Sequence, residues 1–179
     1  MSRYSFVTHW EIRSPLPRVW EALFRAEEWP RWWRGVESVV ELEPATGEHR
    51  VGSLRRFIWK SALPYRLTFD MRVTRVLPME RMESRALGEL EGTGVWTFRL
   101  DGSVTRVRYD WEVRTTQPWM NWAAPLARPL FAWNHDVVMR WGGEGLKRLL
   151  EERPSGASAG REGRILPASR REEAGSPRR

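Results

Sequence analysis

Residues 92–115 read GTGVWTFRLDGSVTRVRYDWEVRT. From Val104 onward, Thr105, Val107, Tyr109, Trp111, Val113 and Thr115 fall on one face, and Arg106, Arg108, Asp110, Glu112 and Arg114 fall on the other. That two-residue period belongs to a strand with one side in an apolar core and the other in water. Asp101-Gly102 supplies a tight hairpin turn ahead of it, and in the preceding strand Trp96, Phe98 and Leu100 share a face. Gly92 and Gly94 in that strand lack the third glycine and the strand-to-helix setting of a phosphate cradle, and read as a bulge or sharp bend. The hairpin therefore predicts an antiparallel sheet that needs a cover on one side.

The same reading extends upstream. Tyr65, Leu67, Phe69, Met71 and Val73 alternate against Arg66, Thr68, Asp70, Arg72 and Thr74, and residues 80–87 form a weaker strand. Residues 36–42 and 52–60 are further strands, the second without a clear inward face. In residues 3–13, Tyr4, Phe6, Thr8, Trp10 and Ile12 share a face. Ser14 reads as an N-cap with Pro15 in the first helical position, followed by Leu16, Val19, Trp20 and Leu23 at helical spacing. Pro30 then interrupts, so residues 27–34 form a second short helix or turn holding Trp29, Trp32 and Trp33. That cluster is either a lid or a plug between the sheet and the short helices.

From about Trp119 to Glu151 the period becomes helical, with Pro125 and Pro129 predicting an irregular start and a regular helix from about Leu130. At 100° per residue the apolar arc holds Leu130, Phe131, Val137, Val138, Trp141, Leu146 and Leu149, and also Asn134, His135, Gly142 and Gly145. The two glycines imply close approach of a neighbour or a local void beneath His135. The domain is expected over residues 1–152, and residues 153–179 are expected to be a disordered Arg-rich tail that buries nothing.

Charge and composition narrow the function. The chain has 179 residues, net charge +7 and no cysteine, which excludes disulfide and thiolate chemistry. Seven Arg and four Glu from Glu152 onward carry +3 of that charge, leaving the domain mildly basic. The charge supplies nonspecific affinity for nucleic acid or an anionic membrane, but no nucleic-acid recognition motif accompanies it. No transmembrane run or signal-peptide core is present, so a globular cytoplasmic protein is expected. Twelve Trp are more than a domain of this size needs for packing, and point to an enclosed aromatic space. His9, His49 and His135 lie on separate elements, so no metal or other cofactor is expected. Gly156-Ala157-Ser158-Ala159-Gly160 matches a nucleophile-elbow string but stands in the tail, away from any strand-to-helix turn.

The order strand, two short helices, six strands, long helix resembles the START-like superfamily of the polyketide cyclase/dehydrase and lipid-transport type. Carrying the resemblance over residues 3–151 are Pro15-x3-Val19-Trp20-x2-Leu23, Trp29-Pro30-x-Trp32-Trp33, Gly47 and Gly52, Leu63-Pro64-Tyr65, Gly92-x-Gly94-x-Trp96 and Asn134-His135-Asp136-x2-Met139-x2-Gly142. It implies an α+β helix-grip fold: a curved seven-stranded antiparallel sheet around a long C-terminal helix, with two short helices after the first strand. It also implies a cavity between sheet and helix for lipids, polyketides or similar molecules.

The expected ligand-binding residues are Tyr65, Phe69, Trp96, Phe98, Tyr109, Trp111, Phe131, Asn134, His135 and Val138. The expected partner is a hydrophobic small molecule in a site of roughly 300–1,000 Å³. The rival reading is a cyclase or dehydratase using His135, Tyr65 or Tyr109 as general acid or base. Each of these also has a packing explanation: a core histidine satisfied by a backbone carbonyl, and tyrosines that fill the core.

Overall fold

The computed structural model describes residues 3–62, 64–116 and 118–151, with the side chains of 118–128 left aside. The expected tail, 153–179, lies outside the described residues. Strand β1 (Arg3–Ile12) leads into helix α1 (Leu16–Phe24), a single 3₁₀ turn (Ala26–Glu28) and helix α2 (Trp29–Trp32). Strands β2 (Val36–Glu43), β3 (Leu54–Lys60), β4 (Arg66–Leu77), β5 (Arg81–Gly88), β6 (Leu90–Asp101) and β7 (Val104–Thr115) follow, and helix α3 (Pro118–Glu151) ends the described chain. All seven strands form one curved antiparallel sheet in the order β1-β7-β6-β5-β4-β3-β2. Successive hairpins account for five of its six pairings; the sixth sets β1 beside β7, so the chain's first and last strands are neighbours. This is the helix-grip α+β architecture that the alternating pattern predicts.

The inward faces read from β1, β4 and β7 hold. Trp10, Ile12, Phe69, Val107, Trp111 and Val113 are buried on the concave side. On the convex side, Arg56 pairs with Asp70 at 2.8 Å and Arg114 with Glu91 at 2.6 Å, each across adjacent strands. Such exposed pairs add little stability but keep that face wet.

Four local readings need correction. At the start of α1, Pro15, not Ser14, is the N-cap, and its carbonyl accepts the amides of Arg18 and Val19. Ser14 is buried, and its carbonyl instead accepts the Thr105 hydroxyl at 2.7 Å. Helix α3 begins at Pro118, next to the expected Trp119, but runs on without the irregular stretch expected before Leu130. Pro125 and Pro129 stand four residues apart, so the hydrogen bonds they remove lie on one face while the rest of the ladder continues. Gly92 and Gly94 sit in unbroken register with Val113 and Trp111, so of the two readings the bulge is excluded, while Gly92 takes a φ of +156° close against the Glu112 carbonyl. A Cβ on Gly94 would come within 2.6 Å of the Tyr109 hydroxyl and 2.9 Å of the Trp111 ring, so the glycine makes room for aromatics. Finally, Leu130 and Leu149 are exposed, whereas Met139 and Gly143 are buried.

The ambiguous face of β3 resolves because an arginine points inward. Arg55 is buried with Phe57 on the concave side, its guanidinium 2.9 Å from Glu27, which also accepts a 2.6 Å hydrogen bond from Arg50. A charge that far from water needs such a carboxylate partner, and alternation alone does not reveal one.

Candidate functional site

The tryptophan cluster is a plug. Trp33 is 1% exposed, and its ring centroid lies about 5 Å from those of Trp10, Trp29 and Trp59. Its Nε1 donates to the Val138 carbonyl of α3 at 2.9 Å. A Cβ on Gly142 would fall 2.4 Å from the Trp33 ring, and one on Gly145 would fall 2.0 Å from the Trp32 carbonyl oxygen. The glycines on the buried arc thus serve close approach, and the space that adjoins His135 is not made by them.

Around Phe131 to Met139, N-terminal to these glycines, the helix stands off the sheet, leaving a cavity of about 160 Å³. Trp33 and Trp59 close one end. The sheet contributes Phe69 from β4, Trp96 from β6 and Tyr109 and Trp111 from β7, while β1 adds Tyr4 and Phe6. Phe131, Asn134, His135, Val138 and Met139 face them from α3. No Lys, Arg, Asp or Glu belongs to the lining formed by the described residues. The volume is smaller than the drug-sized site expected, because the rings of Tyr109, Trp96 and Trp111 stack across the sheet face and fill part of the space.

Nine of the ten residues singled out in the sequence therefore surround one space. Phe98 does not: its ring packs edge-on to Trp20 at 5.0 Å, under α1. Alternation assigns a residue to a face but says nothing of its position along the strand relative to the helix. Tyr4, Phe6, Trp33, Trp59 and Met139 were not singled out, although the β1 alternation already placed Tyr4 and Phe6 inward.

The polar groups differ in how far they are committed. Tyr65 donates its hydroxyl to Glu89 at 3.0 Å, and the same carboxylate oxygen accepts the Thr68 amide at 2.8 Å. Partial burial and the Glu89 carboxylate push the Tyr65 phenol up to about 12. Nothing in the local pattern around Gly88-Glu89-Leu90 signals this role for Glu89. Asn134 accepts the Ala62 amide at 3.1 Å and so fastens the β3–β4 loop to the helix.

His135 lies flat against Phe6, ring centroids 4.1 Å apart, with both ring nitrogens buried. It has none of the backbone-carbonyl hydrogen bonds expected of a core histidine; Asp136 approaches Nδ1 only to 3.5 Å. Burial lowers its pKa, against a smaller opposing effect of Asp136, so the imidazole is neutral at neutral pH. Tyr109 is also shielded from bulk water, which pushes its phenol well above the ordinary value. Among the described residues there is no cluster of three metal-ligating side chains, and no helix long and apolar enough to cross a membrane.

Several solved structures share this fold. The di-domain aromatase/cyclase BexL of the BE-7585A biosynthetic pathway superimposes with a TM-score of 0.67 at 21% identity, over 85% of this chain and 51% of that one. This chain thus spans about half of that protein's length. A START superfamily protein from Mycobacterium smegmatis gives a TM-score of 0.66 at 10% identity, over 82% of this chain and 97% of that one. The Zhui aromatase/cyclase from Streptomyces sp. R1128 gives 0.62 at 18% identity, over 88% of this chain and all of that one. Comparison with curated protein sequences finds no significant match. The model of the family described as polyketide cyclase/dehydrase and lipid transport matches residues 12–136, well over half of the chain, and the chain belongs to that family.

Proposed function

We propose that the domain binds and carries a neutral, hydrophobic small molecule, about one aromatic ring in size, between the sheet and α3. Family membership and the aromatase/cyclase and START neighbours support either hydrophobic ligand binding or cyclase-type chemistry. The observation that carries the binding reading is the lining, which among the described residues is mostly aromatic and aliphatic and holds no charged side chain, around about 160 Å³. That volume lies below the roughly 300–1,000 Å³ of drug-sized sites and close to the roughly 150 Å³ apolar cavity known to take up benzene. An ionised carboxylate would find no cation among the described lining residues, which disfavours a fatty-acid headgroup as the buried end.

The test is a panel of one-ring aromatics, fatty acids and polycyclic aromatics followed by thermal shift and tryptophan emission. A neutral one-ring compound at about a hundred times its Kd should stabilise the fold by about 2.7 kcal/mol, raising Tm by about 5–10 °C. Replacing Trp111 by Ala should weaken that binding more than replacing Arg108, which faces water. A panel with no shift at all ends the reading.

A cyclase or dehydratase is the second reading, favoured by the Tyr65–Glu89 hydrogen bond at the cavity wall and the neutral imidazole of His135. Against it, the hydroxyl of Tyr65 is turned onto Glu89 and the nitrogens of His135 are covered, so the titratable groups do not converge on one point. Turnover of a poly-β-ketone that slows sharply in His135→Gln, with binding retained, would favour the enzyme.

A further inference from the structure

A second, smaller hollow of about 50 Å³ lies between α1 and the sheet. It shares Trp96 with the α3 cavity and none of that cavity's other described lining residues. Leu23 and Phe24 come to it from α1, and Phe57, Met71 and Met82 from β3, β4 and β5. Its charged members are Arg50 and Arg55, and no Asp or Glu belongs to the described lining.

One carboxylate outside that lining serves both arginines. Glu27 accepts a 2.6 Å hydrogen bond from Arg50, and approaches Nε of Arg55 to 2.9 Å without the alignment of a hydrogen bond. Glu41 comes no nearer than 3.6 Å to Nη2 of Arg55. The Arg55 side chain is 6% exposed, and its Nε and Nη2 are buried without a hydrogen bond among the described residues. Folded proteins satisfy the great majority of such groups, and a buried cation is the costliest kind to leave short of acceptors. Burial lowers the pKa of Arg55 although Glu27 and Glu41 act to raise it, so these carboxylates do not fully offset the loss of water. The backbone is strained at the same place. His49 and Arg50 take φ values of 52° and 65°, and the Arg50 guanidinium lies 5.5 Å over the Phe24 ring.

We infer that this hollow is a second binding site, for a short-chain carboxylate held by Arg55 and Arg50 with its alkyl end against Phe57, Met71 and Met82. A carboxylate brings charge and lone pairs to guanidinium N–H groups that lack acceptors, and such charge-assisted bonds are the strong ones. Size limits the alkyl end: one water needs about 10–15 Å³, so the hollow admits about four heavy atoms. Inorganic phosphate fits less well, because the oxygens turned away from the arginines would meet apolar walls. Arg50, 36% exposed, leaves an approach from the surface. The site stands apart from the sheet–α3 cavity and does not depend on the function proposed for it.

The experiment titrates sodium acetate into the full chain labelled at Leu, Val and Met methyls, beside acetamide as an uncharged isostere and sodium chloride and sodium phosphate at matched ionic strength. Acetate should shift Leu23, Met71, Val73 and Met82 saturably with a Kd of about 1 mM, and leave Val138 and Met139 of the other cavity in place. Acetamide should bind at least about tenfold more weakly, the size of one charge-assisted hydrogen bond. Arg55→Met should abolish the acetate response, and Arg50→Gln, at a part-exposed position, should weaken it about fivefold or more. The comparison of acetate with acetamide needs only the wild-type protein, so it decides even if Arg55→Met folds poorly. No saturable shift, equal responses to acetate and acetamide, or a phosphate response as strong as that of acetate would each overturn the site.

Discussion

Helix α3 meets the sheet in two ways along its length. At Gly142, Gly143 and Gly145 the backbone lies directly on Trp33, Trp10 and the Trp32 carbonyl, with no room for a methyl group. At His135, seven residues or about 10 Å up the axis from Gly142, larger side chains hold the helix off and the cavity opens. At the first place the helix rests on Trp10 of β1 and on Trp32 and Trp33 at the end of α2; at the second it faces the sheet across the cavity. The difference is made by residue size on one helix face: small residues produce contact, and larger ones produce a space that their neighbours do not fill.

The contrast breaks most severely at the closed end. Gly145→Val places its Cβ against a backbone carbonyl that cannot rotate away, and should cost about 3 kcal/mol, near the upper end of overpacking penalties. Thermal denaturation should show Tm falling by about 6–12 °C. A smaller effect on stability is expected at the open end, where Leu67→Phe adds volume beside existing space. It should change stability by less than about 1 kcal/mol while reducing binding of a one-ring ligand more than tenfold, measured by isothermal titration. Comparable destabilisation by both substitutions would mean that the two ends are packed alike.

The smallest effect sharpens the picture at the boundary. Because burial lowers the pKa of His135 in the folded state, the unfolded chain takes up the proton first. The stability this residue contributes is complete above about pH 6.5 and is lost as the pH falls through and below that value. His135→Phe should therefore flatten the decline of Tm between pH 7 and pH 5 relative to the wild-type protein. An unchanged profile would place the imidazole in water rather than against Phe6.

The sheet was legible because strands buried on one side write their faces directly into the sequence, as in Thr105 to Thr115. The exception, Arg55, is inward for the sake of Glu27, a pairing between residues far apart in sequence. The helix was legible only in part. Val137, Val138 and Met139 are buried in succession, so α3 is gripped over more than one arc, whereas a single apolar stripe was assumed. That assumption drew in Leu130 and Leu149, each nearly half exposed, and passed over Gly143. The site followed from the faces, with Phe98 as the residue placed on the right face but too far along the strand. Glu89 had no signal, since its carboxylate matters only through the tertiary approach of Tyr65.

The central claim, that the space beneath Phe131 to Met139 of α3 takes up a ligand, is tested most directly by methyl NMR. Toluene titrated into protein labelled at Leu, Val and Met methyls should shift Leu90, Val113, Val138 and Met139, which line the cavity, and leave Leu23 and Leu146 in place. Shifts that are absent, or that appear equally at Leu23 and Leu146, would contradict a preformed cavity beneath that stretch of the helix.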